Sequence, residues 1–142
     1  MPTVRRSALV DQPPEVLFDL VNDVAAYPAR FAWCSRAQVL ENTDDRLVAR
    51  LDLGLGALST WFMTENRNVR PSSIDMQLKD GPFRKLHGRW DFTALGESAC
   101  KVSLMLDFEP TSRLLVPAMK LGFQGLADRM VNDFVREAGK VR

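Results

Sequence analysis

At 142 residues, with 46% apolar and 8% aromatic side chains, the chain has the composition of a soluble globular domain, which excludes a disordered or collagen-like polymer. Nineteen Lys and Arg against eighteen Asp and Glu leave a formal charge of +1. No overall field therefore draws the protein onto a polyanion, and any nucleic-acid contact requires a local patch. A fold of this size buries roughly two-thirds of its extended surface, enough for one sizeable core and not two, so one domain over residues 1–142 is expected.

The longest uncharged run, residues 53–64, has twelve residues including two glycines, short of the about twenty that a membrane-crossing helix needs. Arg5 and Arg6 are followed by only Ser7, Ala8, Leu9 and Val10 before Asp11, too few for the apolar region of a secretory signal, and the expected location is the cytoplasm. Cys34 and Cys100 match no metal-ligand spacing and read as free thiols. His87 is the single histidine, which excludes a two-histidine HExxH site, and two cysteines supply half of a zinc ribbon. Neither a GxGxxG loop nor a Walker loop occurs. No metal and no covalently held cofactor are expected.

Along the chain, residues 3–10 read as a short strand ending at Asp11-Gln12-Pro13-Pro14. The two prolines followed by Glu15 suit a helix start, and Val16, Leu17, Leu20, Val21 and Val24 then share one helical face. A second short helix or turn is expected over residues 25–31, around Pro28. From Cys34 to Glu109 the apolar period changes to two, with candidate strands at 36–41, 46–53, 58–65, 73–79, 83–94 and 100–109. The connectors at 42–45, 66–72, 80–82 and 96–98 are short and rich in turn residues, as an antiparallel meander requires. After Pro110, Leu115, Met119, Phe123, Leu126, Met130, Phe134 and Ala138 recur at steps of four and three, predicting one amphipathic helix over about 112–138. Gly122 and Gly125 sit inside it, where each costs about 1 kcal/mol against alanine; a close approach or a bend is expected there.

The element order is strand, helix pair, six antiparallel strands and a long helix. A seven-strand sheet twists and curls, and the last helix is the element large enough to cover its concave face. A rod over a curved sheet leaves space between the two. Met119, Phe123, Met130 and Phe134 from the helix and Trp61 or Phe62, Met76, Leu86, Trp90, Phe92 and Met105 from the strands are the candidate walls of that space. Residues of these types at this spacing also make an ordinary filled core, and both readings stay open. Lys85, His87, Arg89 and Asp91 share the opposite strand face and point to water. Arg50 and Asp52 read as outward partners. Lys79, Arg84, Lys85 and Arg89 are a candidate basic patch for RNA phosphates or anionic headgroups.

Three segments carry a resemblance. Tyr27-Pro28-Ala29-Arg30-Phe31-Ala32-Trp33-Cys34, then Lys79-Asp80-Gly81-Pro82-Phe83-Arg84-Lys85-Leu86-His87-Gly88-Arg89-Trp90-Asp91-Phe92, and Met130-Val131-Asn132-Asp133-Phe134 resemble the coenzyme Q-binding and ribosome association toxin family. This is a START-like branch of the polyketide cyclase and lipid transport superfamily. The likeness runs from Arg5 to Ala138; at 30–32 the chain has Arg30-Phe31-Ala32 where the family usually carries Phe-Leu-Pro. The resemblance implies an α+β helix-grip fold, with about seven antiparallel strands wrapped around the C-terminal helix and two short helices after the first strand.

Two roles follow from the resemblance. One is non-enzymatic binding of ubiquinone or a similar polyprenyl lipid between sheet and helix in support of respiration, with Phe31, Trp33 and Phe83 joining the contacts named above and with peripheral contact at the inner face of the cytoplasmic membrane. The alternative is a toxin that binds the large ribosomal subunit through Lys79, Arg84, Lys85 and Arg89 and blocks subunit joining. Relatives with this fold also close aromatic rings or dehydrate polyketides, but this sequence offers no cluster of His, Asp or Glu among its apolar positions to serve as acid and base. No DNA contact is expected.

Overall fold

The computed structural model describes residues 2–56 and 58–140, without the side chain of Leu55. Strand β1 (Thr3–Val10) leads into helix α1 (Pro14–Asn22), a 3-10 turn (Val24–Ala26) and helix α2 (Tyr27–Arg30). Strands β2 (Cys34–Asn42), β3 (Arg46–Leu55), β4 (Leu58–Val69), β5 (Ser73–Asp80), β6 (Phe83–Ala94) and β7 (Cys100–Pro110) follow. A second 3-10 turn (Arg113–Leu115) precedes helix α3 (Val116–Ala138). The strands form one antiparallel sheet in the order β1-β7-β6-β5-β4-β3-β2. The α+β helix-grip architecture is thus observed.

The registers fix which side chains face the helices. Leu51 opposes Phe62, and at another level Ile74, Trp90 and Leu104 stand opposite one another as a buried row across β5, β6 and β7. Leu17, Phe18 and Val21 of α1 and Met119, Phe123, Leu126, Val131 and Phe134 of α3 close over that row in one hydrophobic cluster. Alternation of apolar and polar residues sets this sidedness, because neighbouring side chains on a strand point to opposite faces.

Edge strand β1 is tied to α3 as well as to β7. Arg6 Nη2 donates to Asn132 Oδ1 at 2.7 Å, Arg6 pairs with Asp128 at 3.5 Å, and Gln124 Nε2 donates to the Arg5 carbonyl at 3.1 Å.

Three expectations are corrected. Strand β4 runs on to Val69 through residues that read as a connector, because β3 and β5 both pair with it there. The buried amide of Asn68 donates to Asn22 Oδ1 of α1 at 3.0 Å. Helix α3 begins at Val116, after the 3-10 turn and with Pro117 in its first turn, so Leu115 lies outside it and is exposed. Gly125 makes no close approach: a Cβ there would meet nothing within 4 Å. Cys34 and Cys100 are buried free thiols, and burial pushes both above the usual thiol range. No helix among the described residues is long and apolar enough to cross a membrane.

Candidate functional site

Between the sheet and α3 lies a hollow of about 50 Å³. Its walls come from α1 and the turn after it (Val21, Val24), from α2 (Tyr27), from the inner faces of β3 to β7 and from Phe123, Leu126 and Met130 of α3. The expected space is present, and it is small: it holds a few water-sized spheres, whereas small-molecule pockets occupy about 300–1,000 Å³.

Of the twelve candidate ligand contacts, Met76, Trp90, Phe123 and Met130 line the hollow. Phe31, Trp33, Phe83, Leu86, Phe92 and Met119 are buried around it without lining it. Trp61 and Met105 are corrections. The Leu51 to Phe62 register turns Phe62 inward and Trp61 outward, where the Arg50 guanidinium lies 4.1 Å above the indole. Leu104 and Leu106 face α3 and line the hollow, so Met105, between them, borders a shallow depression on the other side of the sheet with Arg5 and Ser7.

Phe31 and Trp33 belong to an aromatic knot at the C-terminal half of α3. Their rings stack at 4.9 Å, Phe134 meets Phe31 at 5.0 Å and Trp90 at 5.5 Å, and Tyr27 packs against Phe31, Trp33 and Phe134. Trp33 Nε1 donates to Asp133 Oδ2 at 2.9 Å, which locks the loop after α2 onto α3. Phe83 and Phe108 pack against Phe123 at 6.0 and 4.6 Å.

Polar groups on the wall are Tyr27, Thr64 and Asn66. The Tyr27 hydroxyl donates to the Val21 carbonyl, and burial pushes its phenol far above the ordinary range. Thr64 Oγ1 donates to Asn66 Oδ1 at 2.7 Å. Thr64 and Asn66 carry no apolar signal that sequence periodicity could have picked out. Among the described lining residues there is no carboxylate, imidazole or thiol.

The outer face of the sheet is laced with ion pairs. His87 Nε2 sits 2.9 Å from Asp75 Oδ2, and Arg89 reaches Asp75 at 3.7 Å and Asp91 at 3.0 Å. Partial burial pushes the Asp75 carboxyl up, but hydrogen bonds from His87 and Gln77 and the charge of Arg89 outweigh it and hold it below the usual range. Arg89 is therefore consumed within the sheet. Lys79, Arg84 and Lys85 are exposed on the β5 to β6 hairpin and form no direct ion pair among the described residues, although the charge of Lys79 acts on Glu65 and Lys85 lies opposite Glu109.

The family model for polyketide cyclase / dehydrase and lipid transport proteins matches residues 10–135. The chain belongs to that family. It is 44% identical to the ribosome association toxin RatA of Pseudomonas aeruginosa, across 95% of this chain and 94% of that protein. A more distant relative is the mitochondrial coenzyme Q-binding protein coq10 of Schizosaccharomyces pombe, 26% identical across 94% of this chain and 85% of that one. A START superfamily protein from Mycobacterium smegmatis superposes with a TM-score of 0.85 at 19% identity, covering 100% of both chains. An aromatase/cyclase from Streptomyces sp. R1128 superposes at 0.82 with 17% identity, over 97% of this chain and 93% of its own. At these identities the two structures speak to the fold alone.

Proposed function

We propose that this chain is a ribosome association toxin, a non-enzymatic protein that binds the large ribosomal subunit and blocks subunit joining. The observation that carries this reading is the nearly filled interior. A hollow of about 50 Å³ is several times too small for a quinone ring with an isoprenoid stem, which leaves the surface to do the work. Similarity to the Pseudomonas toxin along nearly the whole chain supports the same reading. The docking cations are Lys79, Arg84 and Lys85, which are exposed and form no direct ion pair among the described residues, so they remain open to RNA phosphates. A non-catalytic role is supported by the chemistry of the wall: its one titratable group, Tyr27, is held protonated by burial and engaged with a backbone carbonyl.

Overproduction of the chain followed by sucrose-gradient sedimentation tests the reading. The expected result is co-sedimentation with the large subunit and loss of 70S particles, with Arg84→Glu and Lys85→Glu together removing both effects. Unchanged 70S particles, with the chain left at the top of the gradient, would overturn it.

A second reading, binding of ubiquinone or a similar lipid, has a specific observation in its favour. Met76 and Met130, flexible and unbranched, border the hollow, and swinging them aside would enlarge it. The likeness to coq10 points the same way. Organic extraction of purified protein and titration with ubiquinone test it: saturable binding supports it, and no carried lipid with no saturable binding refutes it.

A further inference from the structure

We propose that the end of the molecule where α3 begins docks on an anionic lipid bilayer. This goes beyond the ribosome reading and rests on different residues. The meander brings the β3 to β4 turn, the β5 to β6 turn and the end of β7 to one end of the sheet, since Leu55 opposes Leu58 and Phe83 opposes Pro110. The chain then passes through Arg113–Leu115 into α3. At this end Leu114 is 92% and Leu121 78% exposed, and Leu58 and Leu115 are exposed beside them.

Part of this surface forms a groove. Between Pro117 and Gly125 the solvent side of α3 presents Ala118, Leu121, Gly122 and Gly125, and with Leu58 these line an open groove. An added Cβ at Gly125 meets nothing within 4 Å, so the groove is not filled by the chain itself. Contiguous exposed apolar surface with a polar rim marks an interaction site.

The rim decides the partner. Arg113 and Lys120 are exposed and form no ion pair among the described residues, and Arg129 donates to the Gly54 carbonyl at 3.3 Å. Of the carboxylates at this end, Asp128, itself on the groove wall, is taken by Arg6 and by Gln124 Nε2, Asp80 accepts from the Gly81 amide, and Glu109 lies opposite Lys85. An RNA surface would answer the cations and leave four leucines in water. Anionic bilayers answer both, with acyl chains for leucines that protrude rather than fit a preformed hole and phosphate headgroups for the cations.

The test is sedimentation of the full chain with vesicles of phosphatidylcholine alone and of phosphatidylcholine with about a third phosphatidylglycerol. The expected result is binding at least about tenfold stronger to the anionic vesicles. Leu114→Glu with Leu121→Glu removes it while the melting temperature stays unchanged, both sites being exposed. Arg113→Glu with Lys120→Glu abolishes the preference for anionic lipid. The leucine variant still sediments with ribosomes, because that association is assigned to Arg84 and Lys85; loss of ribosome association in wild type leaves the vesicle result standing. Absence of binding to either vesicle, equal binding by the leucine variant, equal binding to neutral vesicles, or a leucine-dependent dimer in place of vesicle binding would each overturn the proposal.

Discussion

Phe134 and Met130 lie four residues apart on the same helix, and their surroundings differ completely. Phe134 is fully buried and packs against the rings of Tyr27, Phe31, Trp33 and Trp90. Met130 is half-buried and borders empty space. Flat, stiff rings contributed by α2 and its following loop fill the C-terminal half of the interface, whereas in the middle methionine, leucine and isoleucine, together with the edges of Phe62, Trp90 and Phe123, surround unfilled space against a curving sheet. Rigidity and vacancy are thus distributed along one helix by which side chains reach it from the other layer.

Substitutions can break or sharpen this contrast. Phe134→Ala removes the centre of the knot and is expected to cost about 3–5 kcal/mol in urea unfolding. Met130→Ala, made where packing is already incomplete, is expected to cost about 2 kcal/mol, the low end for its type; equal losses at the two positions would mean that the contrast has no energetic content. Gly88→Ala comes next. Its Cβ would lie 2.5 Å from Met76 Cε and 3.2 Å from Leu106 Cδ1. With space for the thioether end to swing into, the penalty should stay near about 1 kcal/mol in the same assay, against up to about 3 kcal/mol for overpacking in a filled core.

The smallest effect belongs to the far side of the sheet. Asp75 is held below the usual carboxylate range in the folded chain, so its contribution is present above that range and disappears as pH falls through the folded-state value. Asp75→Asn is therefore expected to cost at most about 1 kcal/mol at neutral pH. Melting curves of the two proteins should converge as the pH falls below the usual carboxylate range.

Much of this was legible beforehand, for reasons that particular residues show. The alternation of Cys100, Val102, Leu104, Leu106 and Phe108 placed β7 with its inner face correct, and the same alternation already implied that Met105 points away. Trp61 and Phe62 were ambiguous because two adjacent aromatics satisfy either parity, and only pairing with Leu51 resolves them. Thr64, Asn66 and Asn68 hid both the length of β4 and the polar part of the wall, since buried polar residues mimic a loop. Tyr27 was missed as a wall residue because a loop and a short helix, not a periodic element, aim it inward. The size of the hollow depends on sub-ångström fit, which no residue pattern encodes.

The sheet order carries one more consequence, for the birth of the molecule. Within the sheet, the first strand in chain order pairs with the last: Thr3 opposes Asp107 and Val10 opposes Cys100. Its ladder therefore closes only after six other strands exist, a contact of long sequence separation that slows folding and keeps an unpaired edge available until then. The β1 segment thus waits longest for its neighbour, and the sheet is complete only once β7 has joined it.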